Sequence, residues 1–332
     1  MTTQEIRVRS KITGTGAYAP KRVMTNRDLE KMVDTSSQWI LDRTGIQERR
    51  IAAEGEATSD LAVEAARQAL EAARISAKEL ELLIVATCTP DMFLPSTACI
   101  VQDRLGAKKS VAFDISAACS GFLYALSVAD QYLRNGAFKT ALIIGAEVMS
   151  RITDWSDRST CILFGDGAGA VVLEAQKGLY GVLSTHLYSD GRLWDLIQVP
   201  GGGSRIPASS ETIGKGLNFM KMKGNETYKV AIRNLTEAAN EALAHNHLKV
   251  SDVAVLIPHQ ANLRIIAAVA DRLGLPIERV MVNIDRFGNT SAASIPMALD
   301  EAVRSGRIET GDILLMEAFG AGLTWASAVV RW

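Results

Sequence analysis

The chain has 332 residues, 48% of them hydrophobic and 22% charged, with a formal net charge of −1. That composition provides a sizeable core, for two domains or one large α/β unit, and argues against a global electrostatic pull toward nucleic acid or anionic lipid. No apolar run reaches the ~18 residues a membrane span needs, and the opening MTTQEIRVRSKITGTG lacks a secretory signal's apolar core, so a cytoplasmic protein off the membrane is expected.

The first clear element is a helix over Asp60–Ala73, with Leu61, Ala65, Ala69 and Ala73 on one core-facing stripe and Glu64, Arg67 and Glu71 turned outward. Ser76 and Glu79 then form a capping-box pattern ahead of the strand Leu82–Ala86. Arg104-Leu105-Gly106 reads as a helix closed by glycine, followed by the β-rich SVAFDIS, a turn of small residues holding Cys119, and a helix ending at Arg134-Asn135-Gly136. The strand TALIIGAEV comes next, then an insert rich in Asp, Arg and Trp over 149–160. A long irregular stretch, roughly 184–225, follows and contains PGGGSRIP. Loops of that length are usually functional or mobile.

The second part repeats the first. ALAHNHLKVSDVAVLIPH from Ala242 answers ALEAARISAKELELLIVAT from Ala69, and Arg272-Leu273-Gly274 answers Arg104-Leu105-Gly106. RVMVNID answers SVAFDIS as a strand, a helix ends at Arg304-Ser305-Gly306, and DILLMEAFG is the final strand of the repeat. The strand–helix alternation predicts an α/β fold with buried sheets in two related halves. The expected division is a first half over 1–178, carrying the reactive cysteine, and a second over 179–332.

Cys119 lies fifteen residues ahead of Arg134, as Asn289 lies fifteen ahead of Arg304, so the two occupy the same place in their copies. A thiol at a strand-to-helix turn meets unpaired N–H groups and the positive end of the helix dipole, which lower a thiol's pKa. A buried structural cysteine is the bland reading, and a plain helix N-cap is the bland reading of Asn289. His259 follows the apolar strand Val253–Ile257 and Pro258, at the strand ends where α/β sheets bind ligands. Together a Cys, a His and an Asn are chemically complete for thioester work: the thiol carries an acyl group, and His and Asn donate to an enolate oxygen. The remaining cysteines, Cys88, Cys99 and Cys161, form no CxxC or CxxH pattern, and histidine is rare, at four residues. Reduced thiols and no metal are expected.

Six motifs in order carry a resemblance: WILDRTGIQERR from Trp39, FDISAACSGF around Cys119, LFGDGAGA around Phe164, PHQAN around His259, FGNTS around Asn289 and FGAGLTWA from Phe319. Over residues 12–332 the chain resembles the β-ketoacyl-[acyl-carrier-protein] synthase III family of thiolase-fold condensing enzymes. The resemblance implies a five-layered αβαβα fold and a homodimer. It implies that Cys119 is acylated from an acyl-CoA primer, and that His259 and Asn289 promote decarboxylation of malonyl-[acyl-carrier protein]. The carbanion then attacks the acyl-Cys119 thioester, with the backbone N–H groups of Cys119 and Gly320 as oxyanion hole. Trp39 and Arg158 would sandwich adenine. Thr35, Arg43, Gly224, Asn225 and Asn262 would make other CoA contacts, and Phe164 and Phe319 would line the primer pocket. Leu94 stands where acetyl-primed relatives place a partner-subunit phenylalanine, which implies tolerance of longer primers. The acidic carrier protein calls for a local basic face, and Lys215, Lys221, Lys223, Lys229, Arg233 and Arg264 supply candidates, with Lys229 and Arg264 the docking residues by resemblance.

Other readings remain open at this level. GDGAG precedes a strand-like AVVLEA rather than opening a helix, which disfavours a nucleotide-binding module. All four cysteines precede residue 162, which disfavours a thiolase with a late second cysteine. A specialised relative serving polyketide- or quinolone-type metabolism, or transferring acyl groups to an oxygen or nitrogen nucleophile, shares the same residues.

Overall fold

A computed structural model of the chain describes residues 7–332. Two mixed sheets organise it. In the first, β1 (Arg7–Tyr18), β2 (Leu82–Ala86), β3 (Val111–Ile115), β4 (Thr140–Glu147) and β5 (Gly167–Gly178) lie in the order β1-β5-β4-β2-β3. In the second, β6 (Gly181–Ser189), β7 (Val253–Pro258), β8 (Ile313–Gly320) and β9 (Thr324–Arg331) lie in the order β6-β9-β8-β7. Strand directions match position for position: the inner pairs β4–β2 and β8–β7 are parallel, and the hairpins β4–β5 and β8–β9 are antiparallel.

The RVMVNID segment departs from the sequence expectation. Where the first sheet has its edge strand β3, the second has only an isolated bridge between Val280 and Leu256. Gln260 explains the difference. Its Nε2 donates to Pro258 and Met281 carbonyls (2.9 and 3.1 Å), and its Oε1 accepts from the Asn283 and Ile284 amides (3.0 and 3.1 Å). The side chain takes over what a strand ladder would satisfy, and the backbone turns into a short helix at Ile284–Phe287.

Helices fill three layers around the two sheets. After a short helix α1 (Ser37–Thr44), α2 (Thr58–Ala73) and α3 (Thr97–Leu105) lie against the outer face of the first. Between the sheets lie α4 (Gly121–Arg134) and α7 (Ser294–Arg304). Beyond the second lie α5 (Gly224–His245) and α6 (Leu263–Leu273). The sum is the expected αβαβα stack.

The sequence accounts for these positions. α2 buries Leu61, Ala65 and Ala69 as read, but also Ala62, Val63, Ala66 and Leu70, because α3 covers a second side. It sits close on β1: a Cβ on Gly14 would stand 2.2 Å from the Ala69 carbonyl oxygen. The central helices are apolar nearly all round, as full burial demands. Each carries one buried acid, Asp130 or Asp300, paired with an arginine one turn on, Arg134 or Arg304. The capping box at Ser76 and Glu79 forms as predicted, with Glu79 Oε2 accepting from the Ser76 amide at 2.7 Å. None of the described helices is long and apolar enough to cross a membrane.

Candidate active site

The cysteine turn is built by small residues. β3 stops at Ile115, and a single tight turn over Ala118–Ser120 leads into α4. Ala118 adopts φ +46°, a conformation that a larger or β-branched residue would resist. Ser120 Oγ lies 2.8 Å from the Ala117 carbonyl oxygen and 2.7 Å from Thr324 Oγ1, tying the turn to the hairpin between β8 and β9. That hairpin comes close at Gly320, where a Cβ would stand 2.6 Å from the Cys119 amide nitrogen. Only glycine lets the two backbones meet.

His259 extends β7 by one ladder bond, its amide donating to the Glu317 carbonyl at 2.7 Å. The ring is buried and its Nδ1 has no partner. Burial pulls its pKa down to about 3, so the imidazole is neutral at physiological pH.

Asn289 is held by the first half of the chain. Its amide donates to the Leu163 carbonyl (2.8 Å) and its carbonyl accepts from Gly165 (3.1 Å), which joins LFGDGAGA to FGNTS. The preceding Gly288, at φ +64°, leaves no room for a Cβ, which would lie 2.9 Å from the Leu163 oxygen. Asn289 Oδ1 accepts from the Ser291 amide at 2.8 Å, so the carboxamide N–H₂ is the end left to donate.

Cys119, His259 and Asn289 line one cavity of about 820 Å³. Phe164 and Phe319 line it too, both buried. The cavity reaches Trp39, Arg43, Gly224, Asn225 and Asn262. Asn262 has its polar atoms engaged: its side chain caps α6 and donates to the Arg43 carbonyl at 2.9 Å. Arg43 and Arg158 both sit over the Trp39 indole, at 4.5 and 4.9 Å from its centroid. Arg158 lies outside the cavity lining and is tethered to the Asp34 carbonyl. Thr35 also lies outside the lining, with its hydroxyl buried and unpartnered.

Two expectations change. The thiol of Cys119 is not lowered: burial outweighs the helix terminus and pushes it up to about 12, against the Ser291 hydroxyl that favours the thiolate. The basic segment is largely neutralised, since Lys215, Lys221 and Lys223 pair with Glu211, Asp154 and Asp195. Among the described residues Lys229 and Arg233 make no ion pair, and Arg264 lies over the Tyr228 ring at 5.4 Å. Leu94 is 85% exposed and lies outside its own chain's cavity.

The motif reading missed Cys88, Glu147 and Ser291. Cys88 and Ser291 line the cavity, and Glu147 is buried behind them. A lone acid inside the apolar run TALIIGAEV was the available signal, because a strand buried on both faces tolerates a carboxylate only where donors await it. Asp166 of GDGAG is likewise buried. It accepts from Ala52 and Ser150, a structural role with no nucleotide in it. No group of His, Cys, Asp and Glu among the described residues is arranged to hold a metal.

Comparison with known proteins agrees with this architecture. Residues 113–191 match the family model for 3-oxoacyl-[acyl-carrier-protein] synthase III, and residues 243–332 match the model for its C-terminal part. A beta-ketoacyl-[acyl-carrier-protein] synthase III from Alkalilimnicola ehrlichii is 56% identical, over 97% of this chain and 99% of its own. One from Xylella fastidiosa is 54% identical, over 98% and 99%. The crystal structure of the Aquifex aeolicus synthase III superposes with a TM-score of 0.91 at 50% identity, covering 97% of this chain and 100% of that one. By architecture and by sequence, the chain belongs to the β-ketoacyl-[acyl-carrier-protein] synthase III family.

Proposed function

We propose that this cavity condenses an acyl-CoA primer with malonyl-[acyl-carrier protein], the first condensation of type II fatty acid biosynthesis. Products are a β-ketoacyl-[acyl-carrier protein], CO₂ and CoA. The observation that carries the reading is the single cavity shared by Cys119, His259 and Asn289 at the meeting of the two halves.

The chemistry follows from the resting protonation states. With the thiol and the imidazole both neutral, the Cys119 proton leaves as sulfur attacks the acyl thioester, and CoA departs as its thiol. The tetrahedral oxygen is received by the amides of Cys119 and Gly320, whose close approach fits an oxyanion hole. The malonyl thioester then loses CO₂. Its enolate oxygen accepts from the neutral His259 ring and the Asn289 carboxamide, which is already turned N–H₂ outward. The new carbon–carbon bond displaces the Cys119 sulfur as a thiolate, which takes a proton from water to restore the resting thiol.

The CoA nucleotide enters past Trp39 and Arg43, with Thr35, Gly224, Asn225 and Asn262 along its path. An adenine between Trp39 and Arg158 requires the guanidinium to lift from the indole it now covers. The primer's acyl chain lies against Phe164 and Phe319. Lys229 and Arg264 are the docking cations for the acidic carrier protein. The enzyme acts in the cytoplasm as a homodimer of chains divided into halves at 178/179. The outer edge of β3, unpaired among the described residues and exposed at Val111, and the exposed Phe93 and Leu94 support that pairing, with Leu94 reaching the partner's primer pocket.

Intact-mass analysis after mixing with acetyl-, butyryl- and octanoyl-CoA tests the reading. One acyl mass is expected, absent in Cys119→Ser, and turnover with malonyl-[acyl-carrier protein] should release CO₂. Lys229→Glu with Arg264→Glu should raise KM for the carrier protein and spare acylation. No adduct on the wild-type chain overturns the assignment, and strict acetyl preference overturns the role given to Leu94.

A further inference from the structure

Glu147 ends β4 fully buried, and among the described residues no cation pairs with it. It is met by donors. Oε1 accepts from the Ser291 hydroxyl (3.0 Å), the Cys88 amide (3.1 Å) and the Cys88 thiol (3.2 Å). Oε2 accepts from Thr87 Oγ1, from the amides of Cys88 and Thr89, each at 3.1 Å, and from Thr89 Oγ1. A carboxylate, which only accepts, is the group such a nest fits. Burying one without a counter-ion is expensive, and such groups gather at functional sites.

The bond to Ser291 crosses between the halves. Ser291 stands at φ +51°, an uncommon conformation for a serine, and in that pose its amide holds Asn289 Oδ1 at 2.8 Å. Its hydroxyl lies 3.8 Å from Cys88 sulfur, and Ser291 lines the same cavity as Cys119.

We infer that Glu147 and Ser291 are positioning residues for the condensation: the buried carboxylate anchors the Ser291 hydroxyl, and Ser291 in turn aims the Asn289 carboxamide and faces the Cys119 thiol. The inference rests on the function proposed above.

The two anchors act on the thiol in opposite directions. The negative charge of Glu147 disfavours the Cys119 thiolate, and the Ser291 hydroxyl favours it when its proton turns from Glu147 to the sulfur. The titratable groups facing Glu147 are the thiols of Cys88 and Cys119. Glu147→Gln removes the charge and sets an amide N–H₂ against a ring of donors. Ser291→Ala removes the hydroxyl and leaves the backbone bond to Asn289. A merely structural role gives the two variants no reason to move the thiol apart.

The test measures the pH midpoint of Cys119 alkylation by iodoacetamide, alongside condensation with malonyl-[acyl-carrier protein]. Glu147→Gln should shift the midpoint to lower pH and reduce condensation roughly tenfold to a hundredfold, the scale of small misplacements near a reacting centre, while still accepting an acyl group. Ser291→Ala should shift the midpoint to higher pH. Glu147→Asp, which keeps the charge, should restore the wild-type direction and part of the rate. Midpoints unmoved in Glu147→Gln and Ser291→Ala overturn the inference whatever the rates do. Should Glu147→Gln not fold, the midpoint of Ser291→Ala decides. The alkylation readout needs no substrate, so the two failures are told apart: a wild type that neither acylates nor condenses defeats the proposed function and the condensation role with it, whereas unmoved midpoints in an active enzyme defeat this inference alone.

Discussion

Glu147 and Glu317 occupy the same place in the two halves, each thirteen residues beyond the arginine that ends its central helix, Arg134 or Arg304. Both are buried in the closing strand of the parallel part of their sheet. Their surroundings are opposite. Glu147 is ringed by donors, whereas neither carboxyl oxygen of Glu317 has a partner, and burial pushes that group up to about 8. The strand-to-helix turns diverge in the same way, one presenting the thiol of Cys119 and the other the carboxamide of Asn289. The repeated fold supplies equivalent positions around one cavity, and the individual side chains then divide the labour.

The sharpest way to test that division is to remove each turn's reactive group. Cys119→Ala should abolish the acyl adduct altogether, because nothing else in the cavity is read as nucleophile. Asn289→Ala should keep acylation near wild type while lowering condensation by about 10²- to 10³-fold, the range seen when one preorganised donor is deleted. Mass spectrometry of the adduct and CO₂ release separate the two steps. Loss of acylation in both variants would mean the halves share one task.

The two glutamates offer a second contrast, in stability. Glu317 titrates near 4.5 unfolded and near 8 folded, so between those values the native chain holds a proton that the unfolded chain has released. Its contribution is complete below about pH 4.5 and is lost as pH rises through about 8. His259 acts in reverse: its folded value of about 3 against 6.5 unfolded gives stability that is present above 6.5 and lost as pH falls toward 3. Glu317→Gln removes only the first effect. Its stability relative to wild type should climb from pH 4.5 to 8, by on the order of one to a few kcal/mol in urea unfolding. Parallel stability curves would show that Glu317 is not held neutral.

Much of this was legible in the sequence because it rests on local rules. Glycine closures, apolar runs and equal spacing from Arg134 and Arg304 revealed the repeat, and with it the pairing of Cys119 with Asn289. What escaped depends on tertiary placement. RVMVNID has strand composition, yet Gln260, some twenty residues earlier in sequence, supplies the bonds that pull it out of the sheet. The thiol of Cys119 sits at a helix start, as read, but enclosure by the second half reverses the expected shift. Lys221 and Lys223 belong to a basic run in sequence, while their acidic partners Asp154 and Asp195 come from elsewhere in the chain.

The smallest contrast lies at the connections that enter β2 and β7. In the first copy both arms of a capping box operate: Ser76 Oγ accepts from Lys78, and Glu79 accepts from the Ser76 amide. In the second copy only the acidic arm exists, with Asp252 accepting from the Lys249 amide at 2.7 Å, since a lysine side chain offers no acceptor. Ser76→Ala should therefore cost about 0.5–1 kcal/mol, while Lys249→Ser should gain a few tenths by adding the missing arm. Equal losses from Ser76→Ala and Lys249→Ala in urea unfolding would show that neither connection depends on its cap.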